Sequence, residues 1–86
     1  MQTVSVSSIF AQAALEVNGK KLSGLNADTV IAKLGLDSVA VMELVSYFEE
    51  KLEIRMPDED LAKVQTLGDL TGLVKRLVPS GTEVRA

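Results

Sequence analysis

Asp37-Ser38-Val39-Ala40-Val41-Met42-Glu43-Leu44-Val45-Ser46-Tyr47-Phe48-Glu49-Glu50-Lys51-Leu52 reads as one helix with a cap at its start. Asp37 suits the N-cap because its carboxylate can accept from a first-turn amide that has no helical partner. On a wheel of about 100° per residue with Ser38 at zero, Val41, Leu44, Val45, Phe48 and Leu52 fall between roughly 240° and 340°. That stripe is wide enough for one core-facing side. The opposite arc, roughly 0° to 140°, collects Ser38, Val39, Met42, Glu43, Ser46, Glu49, Glu50 and Glu53. Solvated glutamates on a helix are ordinary. Two large apolar residues among them make the arc a candidate contact face.

Helical periodicity continues on both sides of this segment. Upstream, Val6, Ile9, Phe10, Ala13 and Val17 recur at i, i+3, i+4, i+7 and i+11, one stripe of a first helix. Asn18-Gly19 ends it, since both tolerate the left-handed conformation common at helix termini. The connection from 18 to 36 is long for a small domain, which predicts a turn of its own. Asp28 to Leu34 is the candidate, closed by Gly35, with Leu22, Leu25, Ile31 and Leu34 pinning the loop to the core. Downstream, Pro57 suits the first turn of a short helix over about 58–64, whose start carries Asp58, Glu59 and Asp60. Thr66 can cap a last helix, with Asp69 three residues on in a variant of the capping box. Leu67, Leu70, Leu73, Val74 and Leu77 form its buried stripe, and Pro79-Ser80-Gly81 stops it. No internal repeat and no strand-like alternation is visible. The expectation is an all-α fold, a small bundle of three main helices plus one short helix, with a long first loop. Residues 1–80 make the domain, and the polar tail 81–86 is expected to fray.

Composition narrows the function. The chain has 86 residues, enough for one domain, and 47% of them are hydrophobic. Aromatics are only 3%, so the core is aliphatic. Cys and His are both absent, which removes disulfides, Cys/His metal sites, a thiol nucleophile and an imidazole base. No apolar run approaches the ~20 residues of a membrane span. Met1-Gln2-Thr3-Val4-Ser5 lacks the features of a signal peptide, which makes the cytoplasm the expected compartment. The net charge of −3 is unevenly spread: residues 37–60 hold eight carboxylates against Lys51 and Arg55. The flanking segments are slightly basic. An acidic block repels a phosphate backbone and fits a basic protein surface, so the expected partners are proteins, with no nucleic acid and no membrane.

Catalysis by the chain itself has little support. Ser38 has no histidine to activate it, and 86 residues can hardly enclose a shaped pocket. The segment Gly35-Leu36-Asp37-Ser38-Val39 nevertheless sets a hydroxyl at a helix start behind a glycine-containing loop, and helix starts favour anionic groups such as phosphate.

Leu34-Gly35-Leu36-Asp37-Ser38-Val39, followed by Glu43-Leu44-Val45 and Phe48-Glu49-Glu50, resembles the phosphopantetheine attachment region of acyl carrier proteins and related peptidyl carriers. Ile54-Arg55-Met56-Pro57-Asp58-Glu59 and Thr66-Leu67-Gly68-Asp69-Leu70 are similar to the same family, so the resemblance covers roughly residues 30–78. It implies a carrier, not an enzyme. A phosphopantetheinyl transferase would attach the 4′-phosphopantetheine arm of coenzyme A to Ser38, with Asp37 as motif neighbour. The arm brings the thiol that the polypeptide lacks, and acyl or aminoacyl groups ride on it as thioesters. Position by position, Val39, Met42, Glu43, Glu49 and Glu50 match the family's docking surface for basic patches on acyl-loading and chain-processing enzymes.

Two positions depart from the fatty-acid carriers. Ala40 replaces an Asp often found there, and Ser46 stands where an apolar docking residue is common; Lys20 and Lys21 add charge to the loop. A polyketide, modified-lipid or aminoacyl pathway is therefore expected at least as much as a fatty-acid one. A free-standing chain is expected from Met1 and the short polar tail, and a monomer is expected. The alternatives are an unmodified helical adaptor using the same acidic face, which would have no need of Ser38, and a domain excised from a larger synthase.

Overall fold

Four helices follow one another along the chain in a computed structural model that describes residues 3–86: α1 (Val6–Asn18), α2 (Ser38–Leu52), α3 (Asp58–Leu61) and α4 (Leu67–Leu77). A 3-10 turn, Ile31–Leu34, lies in the long loop between α1 and α2. The all-α bundle with three main helices and a short one is thus present. Met1 and Gln2, which open the stretch read as lacking a leader, lie outside the described residues.

The helix ends form where their sequence allows. Ser5 caps α1 by accepting from the Ser8 amide, and Gly19 closes it at φ 63°. α4 carries a full capping box: Thr66 accepts from the Asp69 amide, and the Asp69 carboxylate accepts back from Thr66 and also from Gln65. Those backbone donors, Gln65 first, hold the Asp69 carboxyl below the usual carboxylate range.

The core sits where α1, α2 and α4 meet, with Val6, Phe10, Ala13, Leu44, Phe48, Leu67 and Val74 buried. Phe10 and Phe48 join α1 to α2 with ring centroids 6.4 Å apart and planes tilted by 52°. At the edge of that contact the Tyr47 hydroxyl donates to the Glu16 carboxylate, which raises the phenol's pKa. The long loop has a definite seat. Its carbonyls at Thr29 and Ala27 accept from Leu67 and Gly68, two amides of the first turn of α4 that have no helical partner. Ile31 donates to Gln65, and Val30 bridges Thr66, so the loop is stapled to the start of α4.

Three expectations need correction. The tail, expected to fray, is paired: β2 (Glu83–Arg85) lies parallel to β1 (Thr3–Ser5), with Val4 opposite Val84. Val4 is buried and Val84 packs against the core, so burial of a valine from each end ties the ends together. Three residues are too short to show alternation, and the partner strand lies at the far end of the chain. The short helix stops at Leu61 rather than 64, because Lys63 and Val64 bond three residues back in tight turns that return the chain to Gln65 and its bond with Ile31. On α2 the fully buried row is Ala40, Leu44 and Phe48, turned toward Ala40 from the expected stripe; Val41, Val45 and Leu52 are only half-buried.

Candidate functional site

Ser38 is the first residue of α2 and is exposed, and its hydroxyl makes no hydrogen bond among the described residues. The sequence around it builds that position step by step. Gly35 ends the 3-10 turn at φ 76°, a conformation that costs a residue with a Cβ about 1–2 kcal/mol. Leu36 is half-buried and packs against the core. Asp37 then caps α2, its Oδ1 accepting from the Ala40 amide at 2.8 Å. With Asp37 occupied as the cap, the Ser38 side chain is left to face outward. Lys20 lies across the same loop: its ammonium sits 2.7 Å from where a Cβ on Gly35 would be.

The expected docking residues fall into two groups. Val39 and Met42 are 65% and 70% exposed, and with Leu15 they are the exposed large hydrophobics of the described chain. Glu43 and Glu50 are exposed beside them. Glu49 differs. It is half-buried, and its Oε2 accepts from the Met56 amide at 2.7 Å across the turn between α2 and α3. Ala40, 5% exposed, packs with the core at the position where the fatty-acid pattern has Asp.

Between α2 and α3 lies an apolar cleft of about 590 Å³, lined by Phe10, Val41, Val45, Met56, Leu61 and Val64 among others. A second trough starts at Ser38 and shares Ile31, Val41, Met42 and Val64 with the first. The two therefore meet along one face of α2, and the trough leads from the Ser38 end to the cleft. A group attached at the exposed hydroxyl has open access from solvent and an apolar channel beside it, so the residues present fit a flexible arm carrying a hydrophobic load.

Sequence reading missed the cleft and the Glu49–Met56 bond. The half-buried Val41 and Val45 were assigned wholly to the core, although residues flanking a stripe are where a cleft edge falls. Glu49 and Met56 are seven apart across Pro57-containing chain, and no periodicity signals such a contact. Lys20 reads in the sequence only as charge in a loop, since fifteen positions separate it from Gly35.

Residues 8–74 match the family model for the phosphopantetheine attachment site. The acyl carrier protein of Rhodococcus erythropolis is 32% identical over 71 residues, covering 81% of this chain and 78% of that one. The crystal structure of an acyl carrier protein from Thermotoga maritima aligns with a TM-score of 0.75 at 31% identity, covering 83% of this chain and 84% of the other. The solution structure of the acetyl actinorhodin acyl carrier protein from Streptomyces coelicolor gives 0.61 at 28%, covering 83% of each. The chain belongs to the acyl carrier protein family, whose members bear covalently attached 4′-phosphopantetheine. It is a carrier of acyl groups, not an enzyme.

Proposed function

We propose that Ser38 is the attachment residue and that this protein serves as a monomeric carrier in a dedicated cytoplasmic pathway of the polyketide or modified-lipid type. One observation carries the assignment of Ser38. Its hydroxyl is exposed and unbonded at the start of α2, and it opens onto the apolar trough that leads to the cleft. Ser46 is also exposed and lines the cleft, but it lies in the middle of α2, and no other serine stands at that helix start. Ser5 is engaged as the cap of α1, and Ser7, Ser8, Ser23 and Ser80 do not border the trough. When bound, the arm supplies a thiol on which acyl groups are carried as thioesters. The chain's own residues do the rest: Asp37 holds the helix start so that the hydroxyl is presented, and Val41, Val45, Met56 and Val64 shelter an apolar load from water.

Val39, Met42, Glu43 and Glu50 form the docking face, where a partner's basic patch would be steered by charge and seated on two apolar side chains. The phosphopantetheinyl transferase and the loading and processing enzymes are the partners this face suits. The pathway reading rests on Ala40 and Ser46, which depart from the fatty-acid pattern, and on the likeness to the actinorhodin carrier. Among the described residues no helix is long and apolar enough to cross a membrane.

Intact mass after incubation with coenzyme A and a broad-specificity transferase tests the attachment. The expected result is one added arm, mapped to the peptide containing Ser38 and lost in Ser38→Ala. An adduct on another serine, or none with several transferases, overturns it and leaves the unmodified adaptor as the better account.

A further inference from the structure

Glu49 stands at the junction of the acidic face and the cleft, and its bond to Met56 assigns it work that a docking charge would not have. The backbone carbonyl of Glu49 accepts from the amides of Glu53 and Ile54, closing α2, while its Oε2 takes the Met56 amide at 2.7 Å. A single residue thus holds the whole turn from 53 to 56. That turn does not hold itself. Glu53 sits at φ 53° and ψ 48°, a left-handed conformation unfavourable for a side chain with a Cβ. What the turn positions is the far wall of the cleft. The Met56 side chain is buried and lines the cavity, and Pro57 leads directly into α3, whose Asp58 and Leu61 line it too. No residue of α3 is itself fully buried, so its own packing is a weak anchor.

We propose that the Glu49 carboxylate is a latch that sets the width of the cleft, and that a cation on a docking partner opens it by competing with the Met56 amide for that carboxylate. The bond to Met56 is charge-assisted and partly screened from water, so it is strong enough to hold the turn. A partner's Arg or Lys can outbid an amide for the same oxygens once it lands on the neighbouring, exposed Glu50. Release lets the strained turn relax and α3 move away from α2. Glu49 is then a positioning residue, acting on cargo through Met56 and α3. The consequence for cargo rests on the carrier reading above; the latch itself does not.

The test compares wild type with Glu49→Ala, Glu49→Asp, Glu49→Gln and Glu50→Gln. Hydrogen exchange of the Met56 amide is read first, in the unmodified chain, against the core amides of Leu70 and Val74 in α4. Exchange at Met56 should rise about tenfold or more in Glu49→Ala, and in Glu49→Asp, whose shorter side chain falls short, with α4 unchanged. Glu49→Gln keeps an accepting oxygen and should stay within about threefold of wild type, as should Glu50→Gln. If Glu49→Ala proves unfolded, with α4 also exchanging, Glu49→Asp gives the reading. Second, a hexa-arginine peptide at low salt should accelerate Met56 exchange in wild type and much less in Glu49→Gln, which lacks the charge. Third, on chains loaded with an octanoyl arm by a transferase, hydroxylamine should cleave the thioester several-fold faster in Glu49→Ala than in wild type or Glu49→Gln. Unchanged Met56 exchange in both Glu49→Ala and Glu49→Asp overturns the latch and leaves the carrier reading intact. So does faster exchange with unaltered thioester cleavage, or a peptide effect undiminished in Glu49→Gln. Failure to load Ser38 with Met56 behaving as expected would instead overturn the carrier reading and leave the latch standing.

Discussion

Helices α2 and α4 are built to the same plan and differ on their outer faces. Each starts at a side-chain cap, Asp37 in one and Thr66 in the other, and each buries an apolar row against α1. The exposed side of α4 is Asp69, Gly72, Lys75 and Arg76: Asp69 serves the capping box, Lys75 and Arg76 suit the dipole at the helix end, and Gly72 has open space around it and contributes no side chain. The exposed side of α2 carries Val39 and Met42, which neither fold nor solubility requires, and Ser38, which caps nothing. The side chains exposed on α4 can be accounted for by stability alone. Those of α2 cannot, and the surplus is what the proposed function uses.

That contrast can be broken by substitution, starting with the largest effect. Leu67→Ala in α4 and Leu44→Ala in α2 each remove a side chain that is 0–2% exposed and should cost about 2–5 kcal/mol in urea unfolding. Both variants should still accept the arm where they remain folded. A cost well under 1 kcal/mol for either would mean that the shared core is loose at that helix.

The caps come next. Thr66→Ala should cost about 1 kcal/mol and leave transferase modification unchanged, whereas Asp37→Ala should cost a similar amount and also slow modification, because the same cap presents Ser38. Equal modification rates for the two would show that the start of α2 has no special part. The α4 cap should also respond to acid. The Asp69 carboxyl is held below its ordinary value by the amides of Gln65 and Thr66, so its contribution is present above about pH 4 and disappears as pH falls through its lowered folded value. Acid unfolding curves for Asp69→Asn should be flatter than wild type in that low range and parallel to it above.

The smallest effects on stability should bring the largest on function. Met42→Ala and Ser38→Ala should each change unfolding free energy by no more than about 0.5 kcal/mol, as exposed residues do. Met42→Ala should weaken transfer to a cognate enzyme, and Ser38→Ala should abolish loading. Glu50→Lys should slow the same transfer at low salt, with wild type falling toward it as salt rises. A Met42→Ala variant that unfolds early but transfers normally would make α2 an ordinary helix like α4.

What could be read from the chain follows from range. The bounds of α2, its Asp37 cap, the Thr66–Asp69 box, the Gly19 and Gly35 terminations and the exposure of Val39 and Met42 all depend on residues within a few positions of one another. Helical spacing and capping chemistry specify such things locally. The family likeness of Leu34–Val39 was legible for the same reason, being six consecutive residues.

The tertiary structure alone decided the rest. The β1–β2 pair joins residues some eighty positions apart, and three-residue strands have no pattern to show until a partner lies beside them. The seat of the long loop on the first amides of α4, the cleft between α2 and α3, and the Glu49–Met56 bond depend on which unsatisfied groups meet once the helices pack. Periodicity places a side chain on a face of its own helix; only packing determines what that face meets.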